Sequence, residues 1–187
     1  MRIMGVIKIL SGLLLVAVLA VVALAMFGSA TELNAGLAIA EMPGNEELLE
    51  RGEYLATAGN CAACHTSVDG EHMAGGVAFA TPFGTIYSTN ITPDPDTGIG
   101  NWSLEDFLLS MRLGVRPDGQ HLYPAFPYTA FTKLTDTDTA AIYQYLQSLP
   151  PVRQAAPDNE LGFPFNQRWL MGAWKALYFE PGTYEPD

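Results

Sequence analysis

Cys61-Ala62-Ala63-Cys64-His65 constrains this chain more than any other stretch. Two thiols three positions apart, followed at once by an imidazole, form the attachment signal of a c-type haem. The spacing follows from the chemistry. Each thiol adds to one vinyl group of the porphyrin, so both sulfurs must reach the same edge of the ring. His65, next in sequence, then sits under the macrocycle and offers a ring nitrogen to iron as the proximal ligand. Cys61 and Cys64 are the only cysteines of the 187-residue chain, so no other thiolate site competes for them. The pair has three other readings: a structural disulfide, a thioredoxin-like redox couple, or half of a zinc site. Zinc would need more ligands, and only His72 and His121 remain as imidazoles. A redox couple normally adjoins a βαβ pattern, which is not seen here. The expected cofactor is one covalently bound haem c.

The amino terminus bears on compartment. Ile9 to Phe27 is a run of nineteen residues without a charge. As a helix it would measure about 28 Å, near the roughly 30 Å hydrocarbon core of a bilayer. Arg2 and Lys8 precede it and Glu32 and Glu41 follow, so the positive-inside rule places its start in the cytoplasm. A cleaved signal peptide is the competing reading, with Gly28-Ser29-Ala30 as a passable cleavage site. The apolar run is longer than the roughly 7–15 residues usual for a signal core. The expectation is therefore a single-pass anchor over residues 1–27 in a bacterial inner membrane. A tether over 28–44 would lead to a haem domain on the periplasmic side, 45–152, and an extension, 153–187.

Two of the nine basic residues precede the apolar run, while all twenty acids lie beyond residue 31. The part beyond the run thus carries seven basic against twenty acidic residues. Such an acidic balance argues against nucleic acid and anionic lipid as partners and suits a basic docking surface on another protein.

Beyond Pro43-Gly44, Asn45 offers a helix cap, with Glu46 and Glu47 in the first turn. Leu48, Leu49, Tyr54 and Leu55 give a helical stripe running into the haem cysteines. Gly52 inside that helix costs about 1 kcal/mol against alanine, which predicts a close crossing by a later helix. Residues 70–101 are rich in Gly, Pro, Thr and Asn and predict a long loop, with at most a short extended piece over 81–90. Asp94 and Asp96 lack the further oxygens of a calcium loop and read as a solvated turn. Ser103 caps a second helix closed by Gly114, and Thr135 or Asp136 starts a third, stopped by Pro150-Pro151. Three main helices, no convincing sheet and long loops around one haem predict an all-α domain.

Arg51-Gly52-Glu53-Tyr54-Leu55 through the haem motif resembles class I cytochrome c domains. Residues 81–100, 123–128 and 141–146, with Pro150-Pro151, narrow the likeness. They are similar to the first haem domain of the triple-haem cytochrome subunits of membrane-bound alcohol, gluconate and fructose dehydrogenases, and to related single-haem cytochromes. The resemblance covers roughly residues 46–186. It implies an electron carrier taking single electrons from a dehydrogenase or other respiratory partner toward quinone or a terminal oxidase, with no catalysis of its own. The cofactor-binding residues expected are Cys61, Cys64, His65, Tyr87, Trp102, Tyr123 and Phe126.

This sequence departs from the family pattern in two places. The family commonly has methionine, the second axial ligand of iron, where Phe126 stands in Tyr123-Pro124-Ala125-Phe126-Pro127-Tyr128. Methionine opposite histidine raises the reduction potential, so its loss bears on potential and on ligand access. Met111 is the preferred substitute as distal ligand. A core methionine packing on the porphyrin, ligation by His121 and an open sixth position also stand as readings, while Met73 lies only eight residues beyond His65. With the position open, the protein would be a five-coordinate haem protein binding small gases or peroxide. The other departure is that residues 159–187 resemble the segment joining the first haem domain to the next, so the expectation is that electrons leave for another polypeptide. Residues 166–179 carry apolar positions on more than one face of a helix. Packing on the chain's own domain, on a partner or at a membrane interface all remain open for them.

Overall fold

The computed structural model describes residues 45–184, together with residues 10, 12–16 and 20. Helix α1, Asn45–Ala58, carries Glu46 and Glu47 in its first turn, where the helix dipole favours acids. Asn60 then adopts the left-handed conformation, φ 58°, which asparagine tolerates better than most residues. That single residue breaks the helix and restarts the chain as the short α2, Cys61–His65. Helix α3, Leu104–Leu113, opens on a reciprocal capping box between Ser103 and Asp106 and closes on Gly114 at φ 60°. The short α4, Tyr128–Phe131, follows. Helix α5, Asp136–Ser148, is capped by the Thr135 side chain, which accepts from the Asp138 backbone N–H.

The crossing predicted at Gly52 is present. A Cβ there would lie 2.1 Å from the Ala141 carbonyl oxygen and 2.8 Å from the Tyr145 Cβ, so α1 and α5 meet backbone to backbone. The Arg51 guanidinium bonds the Asp138 carboxylate at 2.6 Å beside the crossing. The three main helices enclose a core of Ala56, Met73, Ile99, Phe107, Met111, Ile142 and Leu146.

A small sheet stands where no convincing sheet is expected, although its middle strand falls inside the short extended piece read over 81–90. Strands β1, Ala78–Thr81, and β2, Gly84–Tyr87, form an antiparallel hairpin with Ala78 opposite Tyr87. Strand β3, Glu160–Leu161, joins β2 antiparallel, with Thr85 opposite Glu160. These strands are two to four residues long and show no alternation of apolar and polar positions. That alternation is the sequence signal for a strand, so the sequence marks no more than the extended piece over 81–90 and nothing of the pairing into a sheet. Asp94 also departs from expectation. Its carboxylate is buried and accepts from the Thr97 hydroxyl at 2.7 Å and from the Thr97 and Asp96 backbone N–H groups. Those bonds, the Thr97 hydroxyl foremost, hold the Asp94 carboxyl below its usual range.

The single-pass anchor needs correction. Crossing a bilayer takes about 20 consecutive apolar helical residues, and among the described residues no helix is long and apolar enough to cross a membrane. Of the expected span 9–27, only Leu10, 12–16 and Ala20 are described, as helical; the rest lies outside the described residues, as does the expected tether 28–44. The inner-membrane placement with a periplasmic haem domain rested on that span and falls with it.

Beyond α5 the chain runs back along the 88–97 loop, forms β3, and ends in helix α6, Leu170–Tyr178. This extension packs on the chain's own domain. The Tyr123 hydroxyl donates to the Phe165 carbonyl at 2.8 Å, and the Arg168 guanidinium lies 4.7 Å from the centre of the Tyr123 ring. Phe179 meets the buried Tyr128 edge-on at 5.2 Å. Trp169, Leu177 and Tyr178 on the same extension remain exposed.

Candidate haem-binding site

Helix α2 carries the pentapeptide on little more than one turn, so Cys61 and Cys64, three residues apart, share a face. Both thiols are free and half-buried. Burial, ahead of the other influences on it, pushes the Cys61 thiol up, keeping it protonated. A redox-active cysteine needs the opposite shift, toward thiolate, so the environment does not suit a thioredoxin-like couple.

The decisive contact belongs to His65. Its Nδ1 lies 2.7 Å from the Thr89 backbone carbonyl, 24 residues further along the chain. A carbonyl only accepts, so the proton is on Nδ1 and Nε2 is left as the electron pair available to a metal. Burial holds the His65 pKa below its ordinary value, with the Thr89 bond as a smaller opposing influence. The ring is therefore neutral at pH 7, as a ligating imidazole must be. Fixing Nδ1 to a carbonyl sets both tautomer and ring orientation, as is usual for metal-binding histidines.

Thr89 is held from several directions. Gly75 has φ 78°, and a Cβ there would sit 2.5 Å from the Thr89 carbonyl carbon and oxygen. The Gly75 N–H donates to the His65 carbonyl at 2.7 Å, and the Gly76 N–H to the Ser88 carbonyl at 3.0 Å. The loop carrying His65 and the loop carrying Thr89 are thus pressed together by a residue without a side chain.

Cys61, Ala62, Trp102 and Phe126 all pack against the core cluster that contains Met111, Met73 and Phe107. Met111 is buried on α3 at 4% exposure, and Phe126 stacks on Phe131 with centroids 5.4 Å apart. The Trp102 carbonyl accepts from the Tyr143 hydroxyl at 2.8 Å. Tyr87 and Tyr123 stand outside this cluster. The Tyr87 N–H donates to the Asn159 side chain, and Tyr123 is engaged by Phe165 and Arg168 of the extension. His121 is a buried residue rather than the surface histidine its turn-rich surroundings suggest. It is 7% exposed, with its Nδ1 3.1 Å from the Lys175 Nζ. The Tyr128 hydroxyl is buried without a partner among the described residues. It has the character of an atom that a bound group's own polar atoms would satisfy. Paired thiols on one face, a neutral oriented imidazole, an aromatic and thioether wall and an orphaned hydroxyl together fit haem c.

The cytochrome c family profile matches residues 49–150, more than half of the chain. The chain belongs to the cytochrome c family. It is an electron-transfer c-type cytochrome domain, and membership implies covalently bound haem c. It is 53% identical over 169 residues to a nicotinate dehydrogenase subunit of Pseudomonas putida, covering 88% of this chain and 14% of that one. It is 44% identical over 155 residues to the gluconate 2-dehydrogenase cytochrome c subunit of Pantoea cypripedii, covering 79% and 35%. With the fructose dehydrogenase cytochrome subunit of Gluconobacter japonicus it shares 50% over 129 residues, covering 68% and 26%. This c-type cytochrome therefore spans at most about a third of the length of these relatives, and its likeness to cytochrome subunits of dehydrogenases agrees with the resemblance read from the sequence.

The site residues that carry no mark in the sequence are Thr89, Asn90 and Lys175. Thr89 and Asn90 end the 81–90 stretch, read as a loop with at most a short extended piece, and nothing in it singles out either residue. Lys175 is distinguished solely as one of two charges in an aromatic segment.

Proposed function

We propose that this cytochrome domain carries a single haem c and passes electrons one at a time from a dehydrogenase toward quinone or a terminal oxidase. Cys61 and Cys64 would hold the porphyrin, and His65 Nε2 and the Met111 thioether would be the side-chain atoms offered to its iron. Bound there, haem c supplies a reversible one-electron couple at iron. The chain's own part is to hold the imidazole neutral and aimed, and to surround the site with apolar side chains that keep water away. Trp102, Phe126 and the core methionines form that wall, while Tyr87 on the hairpin and Tyr123 in the loop before α4 stand outside it, engaged by Asn159 and by Phe165 and Arg168 of the extension. The haem domain is taken as 45–152 and the extension as 153–187. The dehydrogenase partner is inferred from the names of the relatives, and the acidic surface suits a basic docking face on it.

The observation that carries this reading is the His65–Thr89 bond, which leaves one ring nitrogen protonated and fixed and the other free. The test is a pyridine haemochrome spectrum with a redox titration of the purified chain. A single c-type haem per chain and a one-electron couple, both lost in His65→Ala or Cys61→Ser/Cys64→Ser, would support it. A colourless protein would sink it.

Phe126 favours a second reading, a five-coordinate haem protein for small gases or peroxide, because its ring cannot ligate iron. Rapid carbon monoxide binding by the reduced wild-type protein would select that reading over electron transfer.

A further inference from the structure

The 88–97 loop contains a polar network buried more deeply than a surface loop requires. Asn90 is 2% exposed and Thr92 is fully buried. The Asn90 side-chain amide donates to the Val152 carbonyl at 2.7 Å and to the Thr97 hydroxyl at 3.1 Å. Its carbonyl oxygen accepts from the Thr92 N–H at 2.9 Å and from the Thr92 hydroxyl at 2.8 Å. The Val152 N–H in turn donates to the Thr92 hydroxyl at 3.1 Å, and the Gln154 N–H to the Thr97 hydroxyl at 3.0 Å. Asn90 is thus a clamp between its own loop and the segment that follows α5.

Burying two amide N–H groups and a carbonyl costs free energy unless each is bonded, and a network satisfied at every member holds a single geometry. What this geometry fixes is the peptide next to it. The Thr89 carbonyl belongs to the peptide group whose nitrogen is that of Asn90, and that carbonyl receives the His65 Nδ1–H at 2.7 Å. Gly75 sets how closely the loop approaches from one side, and Asn90 anchors it from the other.

We propose that Asn90 is a positioning residue that fixes the length of the His65–Thr89 bond and, through it, the reduction potential of the iron. The inference rests on the assignment of His65 as proximal ligand. A carbonyl that accepts strongly from Nδ1–H pushes electron density toward Nε2, which favours the ferric state and lowers the potential. Loosening the loop weakens the acceptor and moves the potential upward.

The test uses the full haem-bearing chain. The reduction potential is measured, together with the solvent-exchange rate of the His65 Nδ1 proton in the reduced protein by NMR. Asn90→Ala is expected to shift the potential to more positive values and to speed exchange at least about tenfold, the opening expected from losing roughly one net hydrogen bond. Thr92→Val removes the hydroxyl that bonds Asn90 and is expected to move both readouts the same way by less. Thr92→Ser, which keeps the hydroxyl, is expected to restore wild-type values. Leu48→Ala, a destabilising change at the buried far end of α1, is expected to move neither. If Asn90→Ala does not fold, the Thr92 pair decides. The proposal is overturned if Asn90→Ala, or in its place Thr92→Val, keeps the wild-type potential and exchange rate while His65 still ligates. If instead the wild-type protein has no histidine–iron bond, the ligation assignment itself is overturned.

Discussion

Lys175 and His121 share one hydrogen bond, Nζ to Nδ1 at 3.1 Å, and it completes the three donors of the Lys175 ammonium group. The other two go to the Leu113 and Gly114 carbonyls, at 2.5 and 2.7 Å. Those carbonyls end α3, where the helix dipole favours a cation. The Tyr128 ring lies 4.7 Å from the same nitrogen. Burial lowers the Lys175 amine to about 8, which still leaves it mostly charged at pH 7. Lys175 is thus the polar side chain through which helix α6 itself is tied to the end of α3, beside the Phe179–Tyr128 and Arg168–His121 contacts that flank it.

Removing the fastening should release the extension. In Lys175→Met two helix-end carbonyls lose a charged donor, a loss of about 1.5–3 kcal/mol. The expected outcome is a lower urea midpoint and faster proteolytic cleavage between residues 159 and 184, with the haem spectrum unchanged. A protease-resistant extension in the variant would show that its other contacts, such as Tyr123 with Phe165 and Phe179 with Tyr128, hold it without Lys175.

The same junction makes stability depend on pH. Burial first, and then the Lys175 charge, lower the His121 pKa to about 4. In the unfolded chain the ordinary value of about 6.5 returns. As pH falls from 6.5 toward 4 the unfolded state takes up this proton and the folded state does not, so folding stability falls across that window. The expected loss is about 2–3 kcal/mol by pH 4. Chemical denaturation of wild type and His121→Gln at pH 7, 5.5 and 4.5 checks it, since the variant should lack this part of the slope.

Gly52 tests the helix crossing. With the Ala141 carbonyl oxygen 2.1 Å from where a Cβ would stand, Gly52→Ala must push α1 and α5 apart. Overpacking of this kind costs about 1–3 kcal/mol. Thermal unfolding should show a clear drop in midpoint, whereas alanine at an exposed α1 position such as Glu50 should change little.

Part of this architecture is legible in the sequence because it is local. The Ser103 capping box, the Gly114 helix end and the Gly52 crossing are each announced by one residue type with one conformational or steric consequence. The pentapeptide is legible for the same reason, since its spacing is dictated by the porphyrin edge. The pairing into a sheet is not, because β3 comes from a segment more than seventy residues beyond its partner and contributes only two residues. The burial of His121 is equally hidden, since it depends on Lys175, 54 positions away. Thr89 carries no mark at all, because it acts through its backbone carbonyl, which every residue possesses.

The distal ligand separates the two chemical readings of the site. Met111 and Phe126 face one core cluster, but only the thioether can ligate iron. With Met111 as ligand, the ferric wild-type protein should show a methionine–iron charge-transfer band. Met111→Leu, close in volume, should abolish the band, lower the reduction potential and let carbon monoxide bind the reduced protein rapidly. Phe126→Leu should keep the band, since it trims an aromatic wall and leaves the thioether in place. Phe126→Met, by contrast, offers a second thioether at the position the family pattern uses. A double variant, Met111→Leu with Phe126→Met, should therefore regain the band lost in Met111→Leu alone. If Met111→Leu leaves spectrum and potential as they were, Met111 is a core side chain and the iron takes its sixth ligand, or none, from elsewhere.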